Sequence, residues 1–530
     1  MWPQLFPRQG FQLGFMFQHA AERHPGVTVT LDRPLDVTGG ARLQYTYREL
    51  AEVVDDLAAR LSTAGIRRAD HVVIHKTDNV DITLLACAVS RIGAVPVLLS
   101  PDLDGTAVAG LLHRIHRPWL VTDEAKLHGA LASDGVVEPA REVLTVGPMA
   151  GTTAGTTPLA DLARADRWTP VRISPREPAL VTHSSGTTGL PKLAVHCTRT
   201  MWHRLVPQII LGWPTRGETA ALHMSFVHSR FYHLLGVLLH YGSPLVLLVD
   251  PEPAAVEKLL VRTRPGILET HPNTYVLWEE LVDAAGAPMA SVRCFGSTFD
   301  AIHPRTVQRL LAASRRRSPR LIQHYGQSET GPVAAWAYTR RSAARYNGRL
   351  VGTRLPGFTR LRIVDARGKP CPTGTTGHID ARTNGRCLTY LGTEELHARQ
   401  LNAGWWRMGD MGYLDRWGRL YLIDREIDQI DAVDSNLEIE DTLLSRLEEL
   451  REVVVVAGRS GKPVPVVCTR GDTPLDPDRW KRATDDLSGL TDPLQWRFED
   501  LPRTSTWKIK RVEIARMLAA GTTPTAVAGG

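Results

Sequence analysis

The chain has 530 residues, 43% of them hydrophobic, with a formal net charge of +7 and a pI near 9.1. That length implies more than one domain, and the composition is too apolar for a disordered chain. No stretch reaches the roughly 18 to 20 apolar residues that span a bilayer, and the first eight residues lack the charged-then-apolar order of a secretory signal. The six cysteines (Cys87, Cys197, Cys294, Cys371, Cys387, Cys468) are scattered without a C-x-x-C pair, which disfavours a structural zinc site and suits a reducing cytoplasm.

Along the chain, Leu50, Val53, Val54, Leu57, Ala58 and Leu61 recur at helical spacing and predict a helix over 47–61. A strand at 71–75, an apolar helix at 81–92 and a second strand at 94–99 follow, the rhythm of a βαβ unit in a parallel sheet. Residues 130–176, richer in Gly, Thr, Ala and Pro, read as a long surface connection. Pro178 to Val181 then forms a short strand feeding the segment Ser184 to Lys192, which holds four hydroxyl side chains, two glycines and a lysine. Glycines admit backbone N–H groups to an anion, hydroxyls donate, and lysine adds a point charge, so the segment suits a polyphosphate. It is not a Walker loop, because Pro191 precedes Lys192 and Leu193 follows it.

The alternation resumes with a strand at 244–249, a helix at 254–261, a strand at 267–270 and a helix at 274–282. The densest positive cluster, Arg315 to Arg317 with Arg320, reads as a solvated helix end, so no nucleic-acid partner is expected. Residues 348–424 turn to short strands, and beyond Arg425 a smaller α+β unit is expected, with a helix over 440–450 and a strand over 453–456. The low-complexity tail 521–530 is expected to fray. His223, His228 and His233 are spaced by five, which suits neither a helix face nor a strand face as a metal cluster.

Three further segments carry chemistry. Gln323 to Gly331 places an aromatic ring, a glycine, a hydroxyl and a carboxylate in one turn, and a lone carboxylate among phosphates suits Mg2+. Trp405 to Asp410 offers an acid able to accept from ribose hydroxyls. Pro502 to Arg511 is a basic segment near the C-terminus.

With the phosphate loop, these segments resemble the adenylate-forming superfamily of acyl-CoA synthetases, aryl-CoA ligases, luciferases and peptide-synthetase adenylation domains, in the family's order from Tyr45 to about Leu518. The resemblance implies an α/β fold: an AMP-binding adenylation domain (1–424) of βα-layered sheets with a β-rich subdomain, and a small mobile α+β lid (425–530). It implies ATP and Mg2+. Ser184, Ser185, Gly186, Thr187, Thr188, Gly189 and Lys192 would wrap the β- and γ-phosphates. Tyr325 and Gly326 would border the adenine, Ser328 would touch the α-phosphate, and Glu329 would bind Mg2+. Asp410, assisted by Arg425, would hold the ribose, and Lys508 would lie between the acid and the α-phosphate. His233, ahead of Gly236, fits the family's acid-pocket motif. His228, Arg230 and Phe231 would line that pocket with Gly296, Ser297 and Asp300. Arg230 could meet an acidic substituent or face solvent, and Asp300 could face an amine or nothing.

The chain departs from the family pattern at Leu193 and Trp507, both glycines there, and at the hinge, 424–440. Asp424 replaces a glycine, Asp431 a lysine, and four aspartates make the loop acidic. That charge disfavours CoA phosphates and favours a cationic or amine acceptor. The reading is therefore an ATP-dependent ligase that adenylates a small aryl or acyl acid, with CoA, an amine or a carrier protein as acceptor. An alternative is activation of nitrite for N–N bond formation on an arylamine. A non-catalytic nucleotide-binding relative is disfavoured by the presence of Lys192, Glu329, Asp410 and Lys508. The oligomeric state is not legible.

Overall fold

The structure, a computed structural model, describes residues 10–148, 151, 153–165, 168–184, 190–345, 349–430, 432–459, 461–487, 489–504, 507–522 and 524. The chain divides into two compact units. The first comprises Met1–Glu269, Gln327–Gly331 and Thr383–Leu401, and the second Thr270–Gly326, Pro332–Arg382 and Asn402–Gly530.

In the first unit an eight-stranded sheet runs in the order Thr389–Tyr390, Leu193–Cys197, Pro178–His183, Val95–Leu98, His71–Ile74, Trp119–Thr122, Glu142–Thr145, Thr156–Pro158. Its six strands from Pro178–His183 outward are parallel, and the two at the other edge are antiparallel. Parallel strands are covered on both faces, which is why they read as unbroken Val, Ile and Leu runs. A second sheet in the same unit holds Ala220–His223, Leu245–Leu247, Thr28–Leu31 and Gln44–Thr46.

The expected βαβ rhythm is present. The first helix spans Tyr47–Ala64, opened by a Thr46/Glu49 capping box and ended by Gly65 at φ 101°. The next, Asp81–Arg91, is buried at every residue, which its largely apolar stretch Leu84–Val89 suits. The helix expected over 274–282 is an α-helix at Pro272–Leu277 continued by a 3-10 turn, Trp278–Val282. Residues 130–176 differ from the reading as a surface connection, because Glu142–Thr145 and Thr156–Pro158 add the last two parallel strands. They are short, and the outermost ends in a proline, which an edge tolerates.

In the second unit a run of strands pairs in the order Thr359–Val364, Gly377–Thr383, Trp405–Leu414, Arg419–Arg425, Leu350–Arg354, Gly331–Tyr338, Arg320–Gln327, Cys294–Ser297. This is the β-rich character expected for 348–424. Toward the C-terminus a three-stranded sheet (Leu450–Ala457, Pro463–Thr469, Leu494–Gln495) packs with helices Asn436–Arg446, Pro477–Thr484 and Arg511–Ala520 around two apolar clusters. The helix expected over 440–450 starts four residues earlier. The Ser435 hydroxyl accepts from the Glu438 N–H, and Leu450 already belongs to the next strand. Most of the tail expected to fray, 523 and 525–530, lies outside the described residues.

Candidate active site

In the first unit the strands on either side of the phosphate segment, Pro178–His183 and Leu193–Cys197, pair antiparallel. Its ends are tied. The Ser184 N–H donates to the Lys192 carbonyl at 2.9 Å, and the Lys192 N–H donates to Ser184 Oγ at 3.2 Å. Ser185, Gly186, Thr187, Thr188 and Gly189 lie outside the described residues. Leu193, a departure from the family glycine, opens the second strand with its side chain fully buried in the sheet core, which accounts for its tolerance.

Glu329 is 8% exposed, and its turn is built around a buried arginine. Arg204, on the helix Thr198–Gly212, donates to the carbonyls of Ser328 (3.0 Å), Glu329 (2.7 Å) and Gly385 (2.6 Å) and to Ser229 Oγ (3.2 Å). Two glycines make room for its stem. A Cβ on Gly331 would lie 2.7 Å from Arg204, and one on Gly385 2.8 Å. Burial lowers the Arg204 guanidinium to about 10, against the opposing pull of Cys387 and Glu329. The Cys387 N–H donates to the Glu329 carbonyl at 2.6 Å, and Tyr390 Oη donates to Glu329 Oε1 at 2.6 Å. Lys192 Nζ lies 5.5 Å from the centre of the Tyr390 ring.

Of the two expected pocket histidines, His228 is the one that reaches Ser328. It caps the helix Ser229–Tyr241, its Nδ1 accepting from the Arg230 N–H at 3.1 Å. The proton therefore sits on Nε2, which lies 2.9 Å from Ser328 Oγ and donates to it. His233, expected to be catalytic, is buried further along the helix and donates from Nδ1 to the Ser229 carbonyl. Burial first, then Arg204, pushes its imidazole well below 6.5, so it is neutral. Arg230 faces neither solvent nor an open pocket. Its Nε and Nη2 donate to Glu269 Oε1 at 2.9 and 2.6 Å, its Nη1 donates to Gln208, and both members of the ion pair are buried. Phe231 is fully buried, edge-on to Phe226 and Tyr232.

In the second unit, Tyr325 Oη donates to Asp410 Oδ2 at 2.6 Å. Asp410 stands directly opposite Arg425 in an antiparallel ladder, which explains why an acid and a base fifteen positions apart act together. Burial raises the Asp410 carboxyl, and Tyr325, Arg425 and Lys508 oppose that rise. Gly326 is exposed. Gly296 and Ser297 close a strand parallel to Arg320–Gln327, opposite Ile322 and Gln323. Gly296 accepts from Tyr275 Oη at 3.0 Å, and Ser297 Oγ is buried without a partner among the described residues. Asp300 is exposed and accepts from the Ala301 N–H at 3.0 Å.

Lys508 sits on a turn closed by Trp507 N–H to Thr504 O (2.8 Å) and Thr504 N–H to Lys508 O (2.9 Å). Desolvation lowers its ammonium from 10.5. Asp300 is the largest opposing influence, Arg425 adds to the lowering, and Asp410 and Asp428 oppose it. Trp507 has φ 58°, the left-handed region where a non-glycine residue costs about 1–2 kcal/mol. The glycine of the resembled family suits that angle. Here the tryptophan is held by Asn273 Nδ2, which donates to its carbonyl at 2.5 Å. At the hinge, Asp424 accepts from the Asn436 N–H at 3.0 Å and so helps cap the following helix; burial pushes its carboxyl up to about 7. Arg425 Nη1 lies 3.7 Å from Asp428 Oδ2. Asp431 is outside the described residues.

Among the described residues no group of three or more His, Cys, Asp and Glu side chains gathers to hold a metal. A hard cation bound through one carboxylate and substrate phosphates needs no such group, and Glu329 fits that role, one oxygen held by Tyr390 and the other left for a cation. Sequence reasoning missed Arg204, Tyr390 and Asn273. An arginine set among Met201, Leu205 and Ile209 of a helix was the available signal for the first.

Residues 17–391 match the AMP-binding enzyme family, and the chain belongs to it. It is 54% identical, over 96% of each chain, to 3-amino-2-hydroxy-4-methoxybenzoate diazotase of Streptomyces cremeus. It is 27% identical, over 94% of each, to 4-chlorobenzoate–CoA ligase of Arthrobacter sp. A solved anthranilate CoA ligase in complex with anthranoyl-AMP shares the fold with a TM-score of 0.83 at 17% identity, covering 98% of this chain and 100% of that one. The fold is thus the α/β, acyl-CoA synthetase-like fold expected. The chain is an ATP-dependent, AMP-forming ligase whose reaction class is adenylation with release of pyrophosphate. No helix among the described residues is long and apolar enough to cross a membrane.

Proposed function

We propose that the aromatic substrate of this ligase is an amino-substituted benzoic acid. The observation that carries the reading is the 54% identity, over nearly the whole of both chains, with a diazotase acting on an amino-hydroxy-methoxybenzoate. The half-reaction needs negative charge offset at the α-phosphate and at the departing pyrophosphate. Lys192 and the Ser184 end of the phosphate loop hold the leaving group. Ser328, whose oxygen already accepts from His228, keeps its own proton to donate to the α-phosphate. Asp410, oriented by Tyr325, accepts from the ribose hydroxyls. Lys508, in the small C-terminal domain 425–530, bridges the attacking oxygen and the α-phosphate. Bound at Glu329, Mg2+ supplies further charge neutralisation on the phosphates.

Two transfers are open to such a site. In one, the benzoate carboxylate is adenylated and the acyl group passes to CoA, an amine or a carrier protein. In the other, a nitrite oxygen attacks the α-phosphorus and pyrophosphate leaves. The ring amine then attacks the nitrosyl nitrogen, forming an N–N bond as the N–O bond to AMP breaks and a proton is lost. Protonation and loss of water complete the diazonium. The diazotase relative favours the second transfer. The test is AMP formation with an aminobenzoate panel, once with CoA and once with nitrite. AMP only with nitrite selects diazotisation, AMP with CoA alone selects the acyl transfer, and AMP with neither removes the aminobenzoate reading.

A further inference from the structure

Tyr390 lies in none of the motifs that pointed to the nucleotide, yet it touches two groups assigned to it. The residue is 1% exposed, and its backbone strand pairs with the strand that leaves the phosphate loop, Tyr390 opposite Ala194, two residues from Lys192. The Leu391 N–H donates to the Leu193 carbonyl at 2.8 Å, and the Leu388 N–H donates to the Val195 carbonyl at 2.8 Å. The ring is flanked by His397 at 5.5 Å, edge-on. From this fixed base the hydroxyl reaches Glu329 Oε1 at 2.6 Å, and the Lys192 ammonium stands 5.5 Å from the ring centre, within cation–π range.

We propose that Tyr390 is a positioning residue that couples the Glu329 carboxylate to Lys192. Its hydroxyl pins one carboxylate oxygen so that the other faces the cation, and its ring holds the lysine toward the phosphates. The inference rests on the reading of Glu329 as the Mg2+ ligand and Lys192 as a phosphate partner. A phenol ordinarily titrates near 10, so the hydroxyl is a protonated donor at neutral pH. Hydrogen bonds that orient a metal-binding carboxylate typically carry about 10-fold in metal affinity or activity.

Two variants separate the hydroxyl from the ring. Tyr390→Phe removes only the hydroxyl, and Tyr390→Leu removes both. With ATP and acid saturating, Tyr390→Phe is expected to raise the apparent KM for Mg2+ about 10-fold, with a smaller loss of kcat and an unchanged KM for ATP. Tyr390→Leu is expected to raise the KM for ATP as well, about fivefold. The same displacement is readable without turnover, as the Mg2+ concentration needed for half-maximal thermal stabilisation by ATP. Both shifts appearing supports the proposal. A Tyr390→Phe enzyme whose Mg2+ curves overlay the parent, while Glu329→Gln displaces them, overturns the role of Tyr390 alone. Unchanged Mg2+ curves for Glu329→Gln overturn it together with the metal assignment.

Discussion

The Glu329 turn of the first unit and the Lys508 turn of the second hold their charges by different means. Glu329 is fixed by neutral and cationic donors that satisfy its backbone and one carboxylate oxygen: Arg204, Cys387 and Tyr390. Lys508 is balanced by charge, with Asp300, Asp410 and Asp428 against Arg425, on a turn whose preceding residue sits in the left-handed region. The first arrangement resists change because every bond is buried, and breaking one strands its partner. The second responds to pH and to single charges, because Coulomb influence on a partly buried ammonium replaces fixed bonds.

The contrast breaks most readily at Lys508. Lys508→Ala is expected to lower acid-dependent pyrophosphate release by about 10²- to 10³-fold while the melting temperature stays near the parent's, since one donor to the developing charge is lost and no buried network opens. Unchanged turnover would remove the residue from the chemistry. Arg204→Met should behave in the opposite manner, losing stability first. It removes a donor from three carbonyls and a hydroxyl, of which the Glu329 carbonyl keeps the Cys387 N–H, and a cost of about 3 kcal/mol in denaturant unfolding is expected. A cost below about 0.5 kcal/mol would mean the turn does not depend on it.

Titration sharpens the comparison further. The role proposed for Lys508 needs it protonated, and its ammonium is lowered from 10.5, so the alkaline limb of the kcat/KM profile should fall below that value. Asp300 raises Lys508, so Asp300→Asn should move the limb further down; a limb that moves up would contradict the charge balance. A pH-dependent effect is expected at Asp424. Asp424 is raised from 3.8 to about 7 in the fold, so between those values the folded state holds a proton that the unfolded state has lost. Stability therefore falls as pH rises from 4 to 7, and Asp424→Asn should melt higher than the parent above pH 7 and equally near pH 4.

What the sequence disclosed followed the range of its signals. Period and run length located the helix Tyr47–Ala64 and the strand before the phosphate segment, because those signals are local. Motif order singled out Glu329, Asp410 and Lys508 as candidates. Tyr390 and Arg204 escaped, because their meaning lies in partners 61 and 125 residues away. Arg230 was open to solvent or substrate for the same reason: Glu269, which pairs it in the core, lies 39 residues on with no pattern linking them. His233 and His228 have the same residue type five positions apart, and only the helix cap at His228 tells which one meets Ser328.

The central claim, that this site adenylates an acid for reaction with an aminobenzoate, is tested most directly by following AMP and pyrophosphate from ATP with 3-aminobenzoates, with and without nitrite. The account predicts stoichiometric AMP and pyrophosphate that require the aromatic substrate and are lost in Lys508→Ala. No substrate-dependent AMP under either condition, or equal AMP from the Lys508→Ala enzyme, would contradict it.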